Sequence, residues 1–191
     1  MSKMKLDYSD LRILVTGGAG FIGSHTVDAL MVRGAATCVL DNFSTGRVEN
    51  LEHWMKNRNL KLIHGDLLNS TDIGKAMKNS EVVFHLAANP EVRVGLDNPD
   101  VHFKQNVVAT HNLLEAVRKS DVEVVGFTST STVYGEASEI PTPEDYSPLL
   151  PISVYGASKL ACEALLTSYS HTYGLKVIIY RLANIVGPRS R

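Results

Sequence analysis

Tyr155 and Lys159 stand four residues apart in Tyr155-Gly156-Ala157-Ser158-Lys159, inside a stretch expected to be helical. That spacing puts the phenol and the ammonium on one helix face. An ammonium beside a phenol favours the phenolate and lowers the tyrosine towards a working pKa. Tyr155 would then serve as a general base for an alcohol proton. Such pairs are common on exposed helices, so this one takes its weight from two companions. The first is Thr128-Ser129-Thr130-Ser131-Thr132, five hydroxyl side chains in succession after an apolar run. β-Propensity explains single hydroxyls on a strand; five at its carboxyl end point to a polar site. The second is Thr16-Gly17-Gly18-Ala19-Gly20-Phe21-Ile22-Gly23, which follows one apolar run and opens another segment. Gly17, Gly20 and Gly23 fit a three-residue spacing, and Gly18, Gly20 and Gly23 a tighter one. Glycines there permit a sharp turn and close backbone approach to a pyrophosphate. The helix that follows offers free N–H groups and partial positive charge to phosphates. A purely structural turn is the plain alternative, and the strand-before, helix-after context argues against it.

Asp41 ends the second apolar run, 18 residues after Gly23. A carboxylate there can bond both ribose hydroxyls of an adenosine and would repel a 2′-phosphate, so NAD is favoured over NADP. A turn or cap aspartate would look the same. Asp66 after the third run could reach the adenine side, or serve as a loop or cap residue. The seven histidines form no metal pattern. His85, at the end of the fourth run, reads as a satisfied, partly buried imidazole, and Trp54 as a packing residue. Cys38 and Cys162 form neither a metal spacing nor a disulfide framework. They read as idle or buried thiols in a reducing compartment.

These groups need elements to position them. Short β-branched apolar runs at 11–16, 36–40, 60–64, 81–86, 122–128 and 175–180 read as strands buried on both faces. Helices are expected at 21–33, 47–56, 71–78, 100–119 and 153–173, with Gly34 stopping the first. Strand–helix alternation predicts an α/β fold with a doubly wound parallel sheet of six or more strands, in the order 3-2-1-4-5-6. The longest irregular stretch, 135–151, carries four prolines and follows the fifth strand. A loop of that length is usually functional, and ligands in such folds bind beyond the strands' carboxyl ends.

The 191 residues are 44% hydrophobic and 20% charged, with a formal net charge of −1. Those proportions argue against disorder, collagen and coiled coil. The neutral balance gives no case for nucleic acid or an anionic membrane as partner. No apolar run approaches the roughly eighteen residues of a membrane span. Residues 1–10 lack the apolar stretch of a signal peptide and read as an N-terminal extension. A cytoplasmic location is expected.

From Leu11 to Arg189 the chain resembles the extended short-chain dehydrogenase/reductase family, on its nucleotide-sugar epimerase and dehydratase side. The resemblance lies in the glycine segment with Ser24-His25, Leu40-Asp41-Asn42, Gly65-Asp66-Leu67, His85-Leu86-Ala87-Ala88 and Asn106. It continues through Ser129-Thr130-Ser131-Thr132-Val133-Tyr134-Gly135, Tyr155–Lys159 and Arg181-Leu182-Ala183-Asn184-Ile185-Val186-Gly187-Pro188-Arg189. It implies a Rossmann fold over 11–191 and NAD as cofactor. It also implies sugar-nucleotide 4-epimerisation, interconverting UDP-glucose and UDP-galactose through a transient 4-keto sugar. Tyr155 would take the 4-hydroxyl proton, Thr130 would bond that hydroxyl, and Lys159 would hold the nicotinamide ribose and lower the Tyr155 pKa. Gly17, Gly20, Phe21, Ile22 and Gly23 would meet the pyrophosphate side of NAD. Asp41, Asn42, Ser44, Thr45, Gly46, Asp66 and Leu67 would also bind NAD. Leu86, Ala87, Ala88, Asn106 and Thr128, with Tyr155 and Lys159, would complete the cofactor site. Thr130, Tyr155 and Asn184 would touch the UDP-hexose substrate.

Two departures from the family pattern bear on the reaction. Dehydratases carry an Asp-Glu pair directly after the catalytic threonine, where this chain has Ser131-Thr132. Epimerases often place a lysine where this chain has Pro90. Family members also continue past the Gly-Pro-Arg motif into a lobe that holds the substrate nucleotide, so the chain is expected to be the cofactor-binding portion. Dehydration or decarboxylation of a sugar nucleotide, and a non-catalytic NAD-binding module, are the alternatives. A homodimer through the helices 100–119 and 153–173 is expected, because Leu160, Ala161, Ala164, Leu165 and Tyr169 spread apolar groups over a broad arc.

Overall fold

The six apolar runs pair into one parallel sheet in a computed structural model that describes residues 8–190. The strands are β1 (Arg12–Thr16), β2 (Ala36–Asp41), β3 (Leu60–His64), β4 (Val82–His85), β5 (Val124–Thr130) and β6 (Lys176–Leu182). Their order is β3-β2-β1-β4-β5-β6, as the alternation predicts. Residues 1–7 of the expected N-terminal extension lie outside the described residues. Tyr8 donates its N–H to the Arg33 carbonyl at 2.9 Å, so the described end of that segment packs on the domain.

The sheet is apolar on both faces because each face has its own core. Leu14, Val83, Val125 and Phe127 point to one side. There they meet Ile73 and Met77 of α2 (Ser70–Met77) and Leu113, Leu114 and Val117 of α5 (Ala109–Val117). Cys162 and Leu166 of α6 (Val154–Tyr173) close that side. Ile13, Val15 and Val39 point the other way, onto Val27, Leu30 and Met31 of α1 (Phe21–Val32). β1 pairs with both β2 and β4, so the chain winds away from it in two directions. A crevice opens there at the carboxyl ends, the usual ligand position in such sheets.

Several elements differ in kind or extent from the sequence expectation. The stretch 47–56 forms a 3-10 helix over Val48–Trp54 rather than an α-helix. Leu51 is its one buried residue, too little apolar face to hold an α-helix. The helix expected over 100–119 begins as α4 (Pro99–His102), passes through a π-helical stretch at Phe103–Val108, and continues as α5. Within that stretch the Asn106 carbonyl accepts from Cys162 Sγ at 3.4 Å. A carbonyl engaged from outside is one ordinary cause of a disturbed helix ladder. A short helix, α3 (Val94–Asp97), precedes it unannounced by the sequence. β5 and β6 each run two residues past expectation, since they stay in register to the Thr130–Leu182 pair. The hydroxyl run is therefore split: Thr128, Ser129 and Thr130 finish β5, while Ser131 opens a 3-10 turn ending at Tyr134.

Candidate active site

The glycine segment turns from β1 into α1 directly beneath the end of β4. Gly17 holds φ +68°, and a Cβ there would lie 2.7 Å from the Ala87 backbone nitrogen. A Cβ on Gly23 would run into the Gly17 carbonyl. Both positions are filled by backbone that has drawn close, which only glycine allows. Gly20 caps α1 without a side-chain hydrogen bond, and no acid stands in the first turn. The helix thus presents N–H groups and uncancelled positive potential to the cleft.

Asp41 closes β2 beside this turn. Its Oδ2 accepts from the Ala19 N–H at 2.9 Å and its Oδ1 from the Phe43 N–H at 2.8 Å. The carboxylate so braces the glycine turn while keeping lone pairs for a ligand. Asn42 reaches across to Asp66, donating from Nδ2 to Oδ2 at 3.0 Å. Asp66 Oδ1 accepts from the Leu68 N–H at 2.8 Å, the turn-capping role that the sequence left open for it.

Thr130, Tyr155 and Lys159 converge from β5 and α6. Ser153 caps α6 by accepting from the Gly156 N–H at 3.0 Å, which fixes where the helix starts and which way Tyr155 faces. Tyr155 is pushed up from its ordinary pKa by burial, against a hydrogen bond with Thr130 that lowers it. Lys159 is buried, and burial pushes it down to about 8. Its Nζ lies over the Phe127 ring, 4.1 Å from the centroid. In this arrangement the Lys159 ammonium rests on an aromatic face, and burial of the phenol outweighs what lowers Tyr155. His102, which the sequence did not single out, packs edge-on against Tyr155 with ring centroids 5.6 Å apart. Its two ring nitrogens are buried without a partner among the described residues.

Behind the trio, Asn106 Oδ1 accepts from the Asn89 N–H at 2.9 Å and Nδ2 donates to Ser158 Oγ at 2.9 Å. His85 is completely buried rather than partly so, and its nitrogens meet Thr16 Oγ1 at 2.8 Å and Thr110 Oγ1 at 2.9 Å. It is satisfied and neutral, tying the ends of β4 and β1 to the helix behind them. Trp54 packs as expected but also donates Nε1–H to Asp28 at 2.7 Å.

A cleft of 760 Å³ runs along these groups. All the residues expected at the cofactor and substrate line it, except Gly46 and Asn106. Gly46 sits behind Asp41, where a Cβ would meet Oδ1 at 2.9 Å. Asn106 is buried under the floor. The cleft is also lined by Gln105, which the sequence reading did not single out, and by Pro90, Ser129, Ile185 and Val186, which it noted without a binding role. Ser129 Oγ is buried there without a partner among the described residues. The hydroxyl run was the local signal for Ser129; nothing local marks Gln105, which the fold brings to the cleft.

A family profile described as "NAD dependent epimerase/dehydratase family" matches residues 13–191. A UDP-glucose 4-epimerase from Mycolicibacterium smegmatis is 39% identical over 181 residues, covering 94% of this chain and 58% of the relative. UDP-glucuronic acid decarboxylase 1 from Xenopus tropicalis is 35% identical over 182 residues, covering 93% of this chain and 42% of the relative. The crystal structure of a Thermus thermophilus UDP-glucose 4-epimerase complex with NAD superposes with a TM-score of 0.87 at 40% identity. That match covers 95% of this chain and 58% of the other. The chain therefore spans about half the length of the proteins it matches.

Proposed function

The chain belongs to the NAD dependent epimerase/dehydratase family, and from that premise we propose that it is the cofactor-binding portion of a UDP-glucose 4-epimerase. The observation that carries the reading is the placement of Thr130, Tyr155 and Lys159 along the same cleft that the glycine turn opens. The cleft fits a dinucleotide: backbone approaches that a Cβ would block, an uncapped helix N-terminus, and a carboxylate at the end of β2. Gly17, Gly20, Phe21 and Ile22 would hold the pyrophosphate, Asp41 the adenosine ribose, and Lys159 the nicotinamide ribose. Bound NAD supplies a reversible acceptor for the hydrogen at sugar C4.

The protein's own part is to handle the proton and the sugar. Thr130 would bond the 4-hydroxyl and hold it against Tyr155, whose phenolic oxygen takes the proton and later gives it back. Burial keeps the Tyr155 proton in place in the present arrangement. Its withdrawal needs positive charge near the phenol, and the Lys159 ammonium, one helical turn away, is the group to supply it. Dehydration is disfavoured because Ser131 and Thr132 stand where an acid pair would be needed. Decarboxylation, the chemistry named for the Xenopus tropicalis relative, would start from the same oxidation at C4 and is the second reading.

Calorimetry on the chain is expected to give NAD binding and at least tenfold weaker NADP binding. Tighter NADP binding would refute the role of Asp41. Turnover should be followed on the chain and on the chain extended with the C-terminal part of the Mycolicibacterium smegmatis relative. The expected result is UDP-galactose from UDP-glucose in the extended protein and little from the chain alone, since the remote nucleotide supplies the binding energy that orients the sugar. A pentose product from UDP-glucuronate in place of epimerisation would favour decarboxylation instead.

A further inference from the structure

Four residues after Lys159, α6 carries Glu163, which is buried. A buried carboxylate needs a partner that satisfies both oxygens. Arg181 of β6 provides it: Nε donates to Oε1 at 3.1 Å and Nη2 to Oε2 at 2.8 Å. Counter-charge alone would be complete at that point. The guanidinium nevertheless has a third nitrogen, and Nη1 leaves the pair altogether. It donates to Tyr134 Oη at 3.2 Å and to the Glu144 carbonyl at 3.0 Å. The same guanidinium lies 5.0 Å from the centre of the Tyr134 ring.

Those two contacts fall on the segment between Thr130 and Tyr155. Tyr134 ends the 3-10 turn that begins right after Thr130, and Ser153, two residues before Tyr155, begins α6. Between them the chain folds back on itself. Gly135 adopts φ +66°, and a Cβ there would run into the Leu150 carbonyl. The Tyr146 hydroxyl accepts from the Ser138 N–H at 3.1 Å. Arg181 does not itself line the cleft. We infer that Arg181 is a positioning residue, which ties the segment joining Thr130 to Tyr155 onto the helix that carries Lys159. The inference rests on the reading of those three residues as the reacting group, and it deepens that reading: one planar fork sets the spacing of the residues that hold the sugar hydroxyl. A lysine is a point charge and cannot make the fork.

The test is hydrogen exchange on the chain and two variants. Arg181→Lys keeps a cation for Glu163 and loses the contacts to Tyr134 and Glu144. Its melting temperature should fall, because one ammonium cannot satisfy both Glu163 oxygens, and amides in 136–146 should exchange at least tenfold faster, with a larger speed-up than in β1. The 13C signal of the Tyr155 ring carbon, identified by its loss in Tyr155→Phe, should shift in the same variant. Tyr134→Phe leaves the Glu163–Arg181 pair whole and should speed exchange in the segment about threefold; it keeps the test readable if Arg181→Lys does not fold. Parent-like protection in both variants, or an unmoved Tyr155 signal in a folded Arg181→Lys, would overturn the inference and leave Arg181 a counter-charge. NAD affinity is measured alongside and should change less than threefold. Failure of the parent to bind NAD would sink the functional reading without touching the exchange result.

Discussion

A phenol and an ammonium four residues apart do not automatically form a catalytic pair; what surrounds each decides what it does. Tyr155 is held up by burial, and Lys159 rests on the Phe127 ring with its pKa pushed down to about 8. Tyr155→Phe removes only the phenolic oxygen, so it should abolish turnover in the extended protein while leaving NAD affinity within about threefold. Near-native turnover would mean that another group holds the proton. Lys159→Met removes a buried cation whose desolvation opposes folding. It should leave the chain at least as stable to urea, yet weaken NAD binding tenfold or more by calorimetry. His85 gives a pH signature. Burial first, then the Lys159 charge, lower it from 6.5 to about 3. Below 6.5 the unfolded chain takes up a proton that the folded chain refuses until about 3, so the stability is present above 6.5 and is lost as pH falls through that window. The slope is up to about 1.4 kcal/mol per pH unit. Urea unfolding at pH 7 to 4 should show that slope in the parent, and His85→Gln should reduce it by His85's share, most clearly between pH 6.5 and 5.

Two element ends carry most of the site's geometry. The β1–α1 turn works because backbone lies against backbone, with Gly17 at φ +68° and its missing Cβ 2.7 Å from the Ala87 nitrogen. Gly17→Ala strains both the dihedral and the contact to the strap after β4. It should lower the melting temperature and reduce NAD affinity by more than tenfold; parent-like binding would show that the turn can relax. At the other side of the cleft, the Ser153 cap sets the first turn of α6. Ser153→Ala should cost about 1 kcal/mol in urea unfolding.

Across the whole molecule, the two sheet faces are unequally covered. α2, α5 and α6 close one face; on the other, α1 and the 3-10 helix at Val48–Trp54 leave the β6 end open among the described residues. Ile178 on the edge strand β6 is 48% exposed, and Val186 beyond it is 86% exposed. A groove of 630 Å³ lies between α1 and the segment after β6, with Phe21, Phe84 and Val186 among its walls. An edge strand with apolar exposure invites association. The helical surface expected to pair two copies is narrower than the sequence implied. Leu165 and Tyr169 pack within their own chain, and Tyr169 donates its hydroxyl to Glu115 at 2.7 Å. Ala164 stays exposed, as does Phe103 on the neighbouring helical stretch. Light scattering on Ala164→Arg and Ile178→Lys separates the two surfaces. A dimer through the helices should dissociate in the first variant and persist in the second, while loss of aggregates only in the second would assign association to the β6 edge.

The strands, the glycine turn and the Tyr155–Lys159 pair could be read along the chain from short-range patterns. The strand order followed from the rules of strand–helix alternation, and Thr130 was singled out from its hydroxyl neighbours by the family resemblance. Apolar runs of strand length alternate with helical stripes, glycines recur at three-residue spacing, and an i, i+4 pair sits on one helix. Tertiary structure alone decided the rest. It turned residues 103–108 into a π-helical stretch over Cys162, made the polar 47–56 segment a 3-10 helix, and gave Asp66 to a turn. It also set Lys159 on Phe127 and joined Arg181 to Glu163, Tyr134 and Glu144. Those outcomes depend on burial and on partners far apart in sequence, and spacing along one segment carries no record of which distant side chain will fill the space beside it.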